Sequence, residues 1–334
     1  MSRCAFPFLA LILAALLVAP RPAPAMFGDR KPKKDRKDKE ENPKSDSPEW
    51  AVWRGPNSNG ISADDNWSPD KLKAAPKALW SVELGAGWSS VAVAGGKVFS
   101  MGNVGGQDIV YCLNLADGSE VWKFSYACDP GNYPGPRSTP VVDGKSVYTV
   151  SRNGDVYCLD IESGKPAWNV NLVKECGARN LTWGFSGSVR IEDDTLLVNA
   201  CRSGVALDKK TGRKIWASAG GVGGYAVPVV YEKNGQKKVC VFGQKALYGV
   251  DFKTGREEWN FPWETSYDVN AADPIVQGDK VFITSGYGRG CAMIDISGGN
   301  AKKDWENKRM ACHFSSCVLV DGKIYGVDGK GGGG

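Results

Sequence analysis

Short apolar runs alternate with turn-forming residues along most of the chain. The run Thr139–Tyr148 shows the pattern, because two stretches rich in valine flank the pair Asp143-Gly144. An Asp-Gly pair supplies the positive backbone φ angles that a tight hairpin requires. A third apolar stretch follows at 154–160, and it ends in an Asp-x-x-Ser/Thr-Gly turn ahead of a tryptophan. Each such unit predicts four short antiparallel strands.

The unit recurs along the chain, and tryptophans mark its recurrence. These tryptophans lie 42 to 48 residues apart, at Trp80, Trp122, Trp168, Trp216, Trp259 and Trp305. A period in the forties with four short strands per unit is the period of a β-propeller blade. A large indole ring on the outermost strand can cover the gap to the next blade. We therefore predict that these tryptophans dock neighbouring blades to each other.

The repeat predicts an all-β fold, with a propeller of four-stranded antiparallel blades over residues 51–334. Five full blades end at Trp122, Trp168, Trp216, Trp259 and Trp305, and part of a sixth begins near Phe314. The stretch 78–84 predicts a lone outer strand, of the kind that completes the last blade in a closed ring. Composition agrees, because 42 of 334 residues are glycine and 12 are tryptophan, as is typical of many short strands joined by turns.

The first residues predict export. Residues 1–25 have the features of a secretory signal peptide, namely an apolar run over 4–19 and the cleavage pattern Ala23-Pro24-Ala25. A retained membrane anchor is the alternative, but an anchor needs about 20 apolar residues. Residues 26–50 predict a disordered charged linker, because they mix both charge signs with Pro and Ser. We therefore expect a periplasmic or secreted protein with no transmembrane segment after signal cleavage.

Charge and cysteine content limit the classes of partner and site. The chain has a formal net charge of +5 and lacks a long one-signed basic run, so we expect no nucleic-acid partner. The chain has ten cysteines, and the odd number left after signal cleavage leaves at least one unpaired. Cys112 and Cys158 occupy equivalent strand positions, which predicts buried thiols. Cys128 and Cys176 occupy equivalent loops and are candidates for a disulfide, although spacing alone does not establish the pairing.

Two of the repeats carry a recognisable motif. Ala206–Trp216 matches the pattern A-x-D-x-x-T-G-x-x-x-W, and Gly249–Trp259 matches its Gly-led variant. This pattern resembles the tryptophan-docking motif of the quinoprotein alcohol dehydrogenase-like superfamily, whose repeats are called PQQ-like after pyrroloquinoline quinone (PQQ). The opening string Trp53-Arg-Gly-Pro56 is similar to an exported branch of these repeats, and BamB-like exported propellers share the repeat. The resemblance implies a seven- or eight-bladed propeller that is truncated here at its C-terminal end.

The loops that enter the innermost strands are the candidate binding site. Aligning the repeats brings a set of aromatic and polar side chains to the mouth of the central channel: Trp88, Arg137, Trp183, Phe185, Tyr225, Asp268, Asn270 and His313. Such a ring suits a sugar, a quinone-like ring or a peptide. Alternatively, these side chains plug the channel and make it rigid, and the sequence leaves both interpretations open. His313 is the only histidine, so no histidine-based zinc site is expected, and we assign no catalytic residue or metal ligand.

Two functions are consistent with these features. The first is a non-catalytic scaffold or ligand-binding or protein-binding module, with an envelope protein or a glycan as partner and no established cofactor. The alternative, implied by the resemblance, is a PQQ-dependent quinoprotein dehydrogenase that oxidises an alcohol or a sugar with PQQ and Ca²⁺. Such an enzyme needs a carboxylate base and a cation site beside the quinone. Neither group is identifiable in the sequence, which also leaves the oligomeric state open.

Overall fold

The computed structural model describes residues 49–64, 68–72 and 76–329, and all of them belong to the compact unit Ser45–Gly334. The predicted signal peptide 1–25 lies outside the described residues, as does the predicted linker 26–50 except for its last two residues. Within the described ranges, no helix has the length and apolar character that a membrane crossing requires.

The described residues form five four-stranded antiparallel sheets and one two-stranded sheet. Neighbouring strands in each sheet are consecutive in the chain, so every sheet is a meander. Blades 1 and 2 comprise β1 (Ala92–Ala94), β2 (Lys97–Val104), β3 (Gln107–Asn114), β4 (Glu120–Ala127), β5 (Val141–Asp143), β6 (Ser146–Val150), β7 (Asp155–Asp160) and β8 (Pro166–Asn171). Blades 3 and 4 comprise β9 (Arg190–Glu192), β10 (Thr195–Val198), β11 (Val205–Asp208), β12 (Lys214–Ala217), β13 (Val229–Lys233), β14 (Gln236–Phe242), β15 (Ala246–Asp251) and β16 (Glu257–Pro262).

Blade 5 comprises β17 (Ile275–Gln277), β18 (Lys280–Ser285), β19 (Gly290–Asp295) and β20 (Lys302–Asn307), and the two-stranded blade 6 comprises β21 (Val318–Val320) and β22 (Lys323–Tyr325). Among the described residues, the helical elements are α1 (Leu172–Cys176) and two 3-10 turns, Pro69–Leu72 and Ser266–Asp268. The prediction of an all-β propeller with four-stranded antiparallel blades is confirmed. The prediction that the ring has seven or eight blades stays a prediction.

The core lies between neighbouring blades. Phe99 and Val110 of blade 1 pack with Val147 and Leu159 of blade 2, and all four side chains are fully buried. This arrangement follows from the alternation of side chains along a strand, which points successive residues towards opposite neighbouring sheets. The first strands of neighbouring blades contact each other, as β1 contacts β5 and β13 contacts β17. The first strand of each blade is therefore the innermost one.

Three junctions between blades, and the contact of the stretch 78–84 with blade 1, share one local design. The indole ring of Trp216 packs on Gly255, where any side-chain carbon would overlap the ring. Its Nε1–H donates to the carbonyl of Phe252 at 2.9 Å. The turn is held by the Asp251 carboxylate, which accepts a hydrogen bond from the Thr254 hydroxyl at 2.8 Å. Gly255 adopts a φ of +68°, which glycine does without steric cost. The equivalent donor–acceptor pairs are Trp80 with Leu115, Trp122 with Ile161 and Trp168 with Lys209.

The other two tryptophans of the series depart from this design. Trp259 is buried between blades 4 and 5, but its Nε1–H donates to the Tyr231 hydroxyl of its own blade at 3.3 Å. The Ile296 carbonyl, which occupies the position of the docking acceptor, instead accepts a hydrogen bond from the Lys233 ammonium. Trp305 is 42% exposed, and it has no docking carbonyl among the described residues.

The stretch 78–84 docks without forming the predicted outer strand. The structure assigns no strand there and shows only an isolated bridge between Ala86 and Asn103 nearby. The Leu84 carbonyl instead approaches the backbone of Gly102 so closely that a side chain at that position would overlap it. Trp80 nevertheless packs on Gly118 of blade 1, so this stretch still supplies the docking tryptophan for the first junction.

Candidate ligand site at the channel mouth

Six loops bring aromatic side chains to one end of the blades. Because successive strands run in opposite directions, the loops before the innermost strands lie at the same end as the hairpins between second and third strands. Tyr287 lies in such a hairpin, between β18 and β19, and the other aromatic residues precede the first strands of blades 2 to 6. We define the channel mouth by these residues: Tyr133, Trp183, Tyr225, Tyr267, Tyr287, His313 and Phe314.

The mouth contains two groups of contacting rings. Tyr133 and Trp183 pack edge to face, with ring centroids 5.5 Å apart. In the second group, His313 lies 4.5 Å from Tyr287 and stacks on Phe314 at 3.6 Å. These are arrangements that aromatic pairs favour. Tyr133 is 62% exposed and Phe314 is 69% exposed, so both groups present open ring surface to a ligand.

Tyr225 supplies a buried hydroxyl beneath the rings. This hydroxyl accepts a hydrogen bond from the backbone N–H of Trp183 at 3.5 Å. Burial raises the pKa of Tyr225 to about 12, and the charge of Asp268 adds to this effect while the charge of Arg137 opposes it. Arg137 also donates to the Tyr133 carbonyl at 2.8 Å, which holds that loop in place. The polar groups of the mouth are therefore charged or hydroxyl-bearing, and they lie close to the rings.

Several mouth residues have an unfavourable backbone conformation. Tyr133, Tyr267, Asp268 and Tyr287 have φ values of +55°, +61°, +57° and +55°. The left-handed region costs about 1 kcal/mol or more for a residue with a side chain, and such strain clusters at binding and active sites. Ring contact helps to hold the arrangement, since Tyr267 and Tyr287 lie 5.1 Å apart. The Asp268 carboxylate accepts a hydrogen bond from the Gln244 side chain at 3.0 Å.

The packing of His313 favours the neutral form of its imidazole. Its Nε2 atom is buried and has no hydrogen-bond partner among the described residues. Burial lowers the pKa of His313 below its ordinary value of 6.5. The ring fits against Gly286, where a Cβ atom would come within 2.8 Å of the imidazole. The unpartnered nitrogen is a free hydrogen-bonding group within the aromatic mouth.

The structure separates the predicted site residues into three sets. Arg137, Trp183, Tyr225, Asp268 and His313 lie at or beneath the mouth, as described above. Two others correct the prediction because they are buried. Phe185 packs against Gly154 in the core, and Asn270 is fully buried, with its amide donating to the Gly243 carbonyl at 3.0 Å.

Trp88 occupies a separate position. It is 63% exposed, and its backbone N–H donates to the Pro136 carbonyl at 2.8 Å. Within the described part of the chain, its ring contacts none of the other aromatic rings. Trp88 is thus available to a ligand but is not part of the two ring groups.

Sequence reasoning did not select three tyrosines of the mouth. Tyr133, Tyr267 and Tyr287 lie in loops that differ in length from blade to blade, so aligning the repeats gives them no common position. Tyr267 directly precedes the predicted residue Asp268, which is the nearest signal in the sequence. Tyr287 lies in a hairpin that the alignment of entering loops did not consider.

An N-terminal segment lies inside the ring of innermost strands. Trp50 forms a β-bridge with Val93 of β1, and the Ala51 carbonyl accepts a hydrogen bond from the Val142 N–H of β5 at 2.8 Å. Further along, the Ser58 hydroxyl accepts a hydrogen bond from Arg190 of β9 at 2.5 Å. These contacts reach the innermost strands of blades 1, 2 and 3, so the segment occupies part of the channel.

Asp273 anchors the same segment from the opposite side. Its carboxylate accepts hydrogen bonds from Trp53 Nε1–H and the Val227 N–H, both at 2.7 Å. Arg54 lies 3.7 Å from the same carboxylate and also donates to the Cys317 carbonyl. Burial is the main cause that raises the pKa of Asp273. This backbone segment therefore occupies part of the channel, and both interpretations of the predicted ring of side chains stay predictions.

The described residues show no carboxylate cluster of the kind that would hold calcium beside a quinone. No group of three His, Cys, Asp or Glu side chains in the described ranges is arranged to hold a metal ion. Asp273, the buried carboxylate of the channel interior, is already bound to Trp53, Arg54 and Val227. We therefore derive no reaction step through such a cofactor.

Comparison with known proteins places this architecture in a family. The model of the family described as outer membrane protein assembly factor BamB matches residues 106–332, which is more than half of the chain. The chain belongs to this family of PQQ-like propellers. A search of curated proteins finds no match.

Solved structures agree with the propeller fold. This PQQ-like propeller superposes on BamB from Moraxella catarrhalis with a TM-score of 0.54 and 16% identity, covering 74% of this chain and 69% of that one. It superposes on the quinohemoprotein alcohol dehydrogenase from Comamonas testosteroni with a TM-score of 0.62 and 14% identity, over 84% of this chain. The match spans only 52% of the dehydrogenase chain. At these identities the likeness shows the fold alone.

Proposed function

We propose that this protein is an exported, non-catalytic propeller that binds a glycan at the channel mouth. The observation that carries the proposal is the set of exposed rings held in strained loops around Tyr225 and Arg137. Ring faces pack against the apolar faces of sugars, and a few fixed polar groups give the orientation. The N-terminal segment supports binding at the surface, because its contacts with β1, β5 and β9 occupy part of the interior.

Binding to a glycan panel tests this proposal. We expect Phe314→Ala and Trp183→Ala each to weaken binding about 2- to 10-fold, since an aromatic contact is worth about 0.5–1.5 kcal/mol. Tyr325→Ala is the matched control, because Tyr325 is an exposed ring on β22 outside the mouth. If no glycan binds, or if the control loses as much affinity as the mouth variants, the glycan proposal is wrong. Capture of an envelope protein that depends on Phe314 would replace the glycan with a protein partner.

Export is part of the proposal, and it rests on the predicted signal peptide and on a family named for outer membrane protein assembly. We expect the mature protein to begin at Met26 and to fractionate with the periplasm or the medium. The mass of the purified protein and its N-terminal sequence test this expectation. A protein that keeps residues 1–25 in the cytoplasmic fraction would contradict it.

A quinoprotein dehydrogenase is the second candidate function. The superposition on the quinohemoprotein alcohol dehydrogenase over 84% of this chain favours it at the level of fold. Addition of PQQ and Ca²⁺ to the purified protein, followed by an alcohol and a redox dye, tests the candidate. A calcium-dependent change in quinone absorbance together with dye reduction would overturn the non-catalytic proposal.

A further inference from the structure

Three sulfur atoms converge between blades 5 and 6. The Sγ atoms of Cys312 and Cys317 lie 3.3 Å apart, and the Met310 Sδ atom lies 3.4 Å from the Cys317 Sγ atom. All three sulfurs face Gly326, where a Cβ atom would lie 2.6 Å from Cys317, 2.8 Å from Cys312 and 3.1 Å from Met310. A glycine at this position therefore leaves the space next to the sulfurs open. We call these three residues the sulfur cluster.

The backbone that carries the sulfur cluster is fixed by neighbouring groups. The Thr284 hydroxyl accepts a hydrogen bond from the Cys312 N–H at 3.1 Å and donates to the Met310 carbonyl at 3.2 Å. The Asp328 carboxylate accepts a hydrogen bond from the backbone N–H of residue 311 at 2.9 Å. The donors are thus held near one another before any ligand arrives, which lowers the cost of organising them on binding.

Burial and access are both suitable for a bound ion. Cys312 and Cys317 are buried, whereas Gly326 beside them is exposed. An ion therefore has a short path from solvent to the sulfurs. The positive charge of Arg54, which donates to the Cys317 carbonyl, offsets negative charge that forms at the cluster.

We propose that Met310, Cys312 and Cys317 form a binding site for a single copper(I) ion. Thiolate and thioether sulfurs are soft ligands that select this ion. Structural zinc almost always takes four ligands, and the nearby Cys291 thiol instead contacts the Asn307 side chain at 3.4 Å. With metal–sulfur bonds of about 2.3 Å, three sulfurs around one ion lie about 4.0 Å apart, so the pairs at 3.3 Å and 3.4 Å move apart by about 0.6 Å on binding. Binding replaces the two S–H protons with the ion, releases both protons and changes no oxidation state.

Anaerobic titration of the reduced full chain with copper(I), in competition with a chromogenic copper(I) chelator, tests the proposal. We expect one ion per chain and no such binding in Cys312→Ser or Cys317→Ser. Met310→Leu keeps the side-chain volume and should fold normally, and we expect it to weaken binding by more than about 10-fold. Cys158→Ala is the matched control, because it removes a buried thiol from blade 2, and we expect its affinity for copper(I) to be unchanged.

X-ray absorption at the copper edge gives an independent readout. We expect three sulfur neighbours in the wild-type protein and two in Met310→Leu. The proposal is wrong if the wild-type protein binds no more copper(I) than the Cys312→Ser/Cys317→Ser double variant. It is also wrong if Met310→Leu binds copper(I) as tightly as Cys158→Ala. A disulfide between Cys312 and Cys317 that resists reductant would overturn it too, because neither thiolate would then be available.

Discussion

Two junctions can be compared, the one between blades 3 and 4 and the one between blades 4 and 5. At both, side chains fill the gap between the sheets and donate a hydrogen bond to a backbone carbonyl, but the side chains differ. At the first, Trp216 both fills the gap and donates to the Phe252 carbonyl. At the second, Trp259 fills the gap, while Lys233 donates to the equivalent carbonyl of Ile296. We call these the regular junction and the divergent junction.

The difference separates two requirements that a docking tryptophan normally meets together. One requirement is to fill the space between sheets, and the other is to satisfy a carbonyl that follows the outer Asp of the next blade. At the divergent junction the Trp259 ring lies over Gly249 of the neighbouring strand in its own blade, where a side chain would overlap it. The ring therefore turns away from the acceptor, and a lysine takes over the hydrogen bond. The Gly-led form of the motif is explained by this ring position.

The largest expected effect comes from the turn glycines. Gly255→Ala should destabilise the protein by about 2–5 kcal/mol, since alanine at a φ of +68° costs about 1–2 kcal/mol and displacement of the Trp216 ring adds about 1–3 kcal/mol. The matched change Gly299→Ala at the divergent junction should lower the free energy of unfolding only slightly, because no atom lies within 4 Å of the added carbon. Chemical denaturation of both variants measures the free energies of unfolding. Equal losses in both would show that the two turns do not differ as described.

Removing the indole N–H at both junctions, with the same loss of ring volume at each, tests the second requirement. Trp216→Phe leaves the Phe252 carbonyl without its donor, and we expect a loss of about 1–3 kcal/mol in the free energy of unfolding. Trp259→Phe leaves only the Tyr231 hydroxyl without its donor, so the loss in the free energy of unfolding should be smaller for this variant. Thermal and chemical denaturation provide the measurement. A larger loss at Trp259 than at Trp216 would refute the separation of the two requirements.

The contrast also explains how far the sequence predicts this molecule. Contacts that recur in every blade leave a period, so the docking role of Trp216 and the four-stranded blades were predictable. The Lys233–Ile296 contact and the bond from Trp53 to Asp273 occur once, and the latter joins residues 220 positions apart. A single long-range contact leaves no repeated signal.

The mouth could be predicted in part for the same reason. Its position follows from the loops that enter each blade, so aligning the repeats predicted Tyr225 at this end of the blades and Trp183 beside an aligned position. The conformation of each loop depends on its own length and strain, as the φ of +55° at Tyr287 shows. Burial of Phe185 and Asn270 depends on how those loops fold back into the core, which the alignment does not describe.

Lys233 provides the next test of the divergent junction. Lys233→Met removes the donor to the buried Ile296 carbonyl and the ion pair with Asp279 at 3.0 Å. We expect a loss of about 1–2 kcal/mol, chiefly from the unsatisfied carbonyl. Lys210→Met is the control, because Lys210 pairs with Asp194 on the surface, where an ion pair contributes about 0–1 kcal/mol. If the two variants lose equal stability, the lysine is an ordinary surface residue and does not replace the tryptophan donor.

The smallest expected effect concerns His313, which lies beyond the divergent junction in the channel mouth. Burial lowers the pKa of His313 in the folded protein below 6.5, so folding favours the neutral imidazole. The resulting contribution to stability is present above the unfolded pKa of about 6.5. It is lost as the pH falls through the lower folded pKa. Stability should therefore decline slightly below pH 6.5 in the wild-type protein.

NMR can follow this titration without ambiguity, because His313 is the only histidine in the chain. Phe314 stacks on the imidazole at 3.6 Å and shields it from water. We expect Phe314→Ala to raise the pKa of His313 towards 6.5 and to reduce the loss of stability at acid pH. Tyr325→Ala, which changes an exposed ring on β22, should leave the titration unchanged. A wild-type pKa at or above 6.5 would mean that water reaches the imidazole, and the mouth would then be more open than its ring contacts indicate.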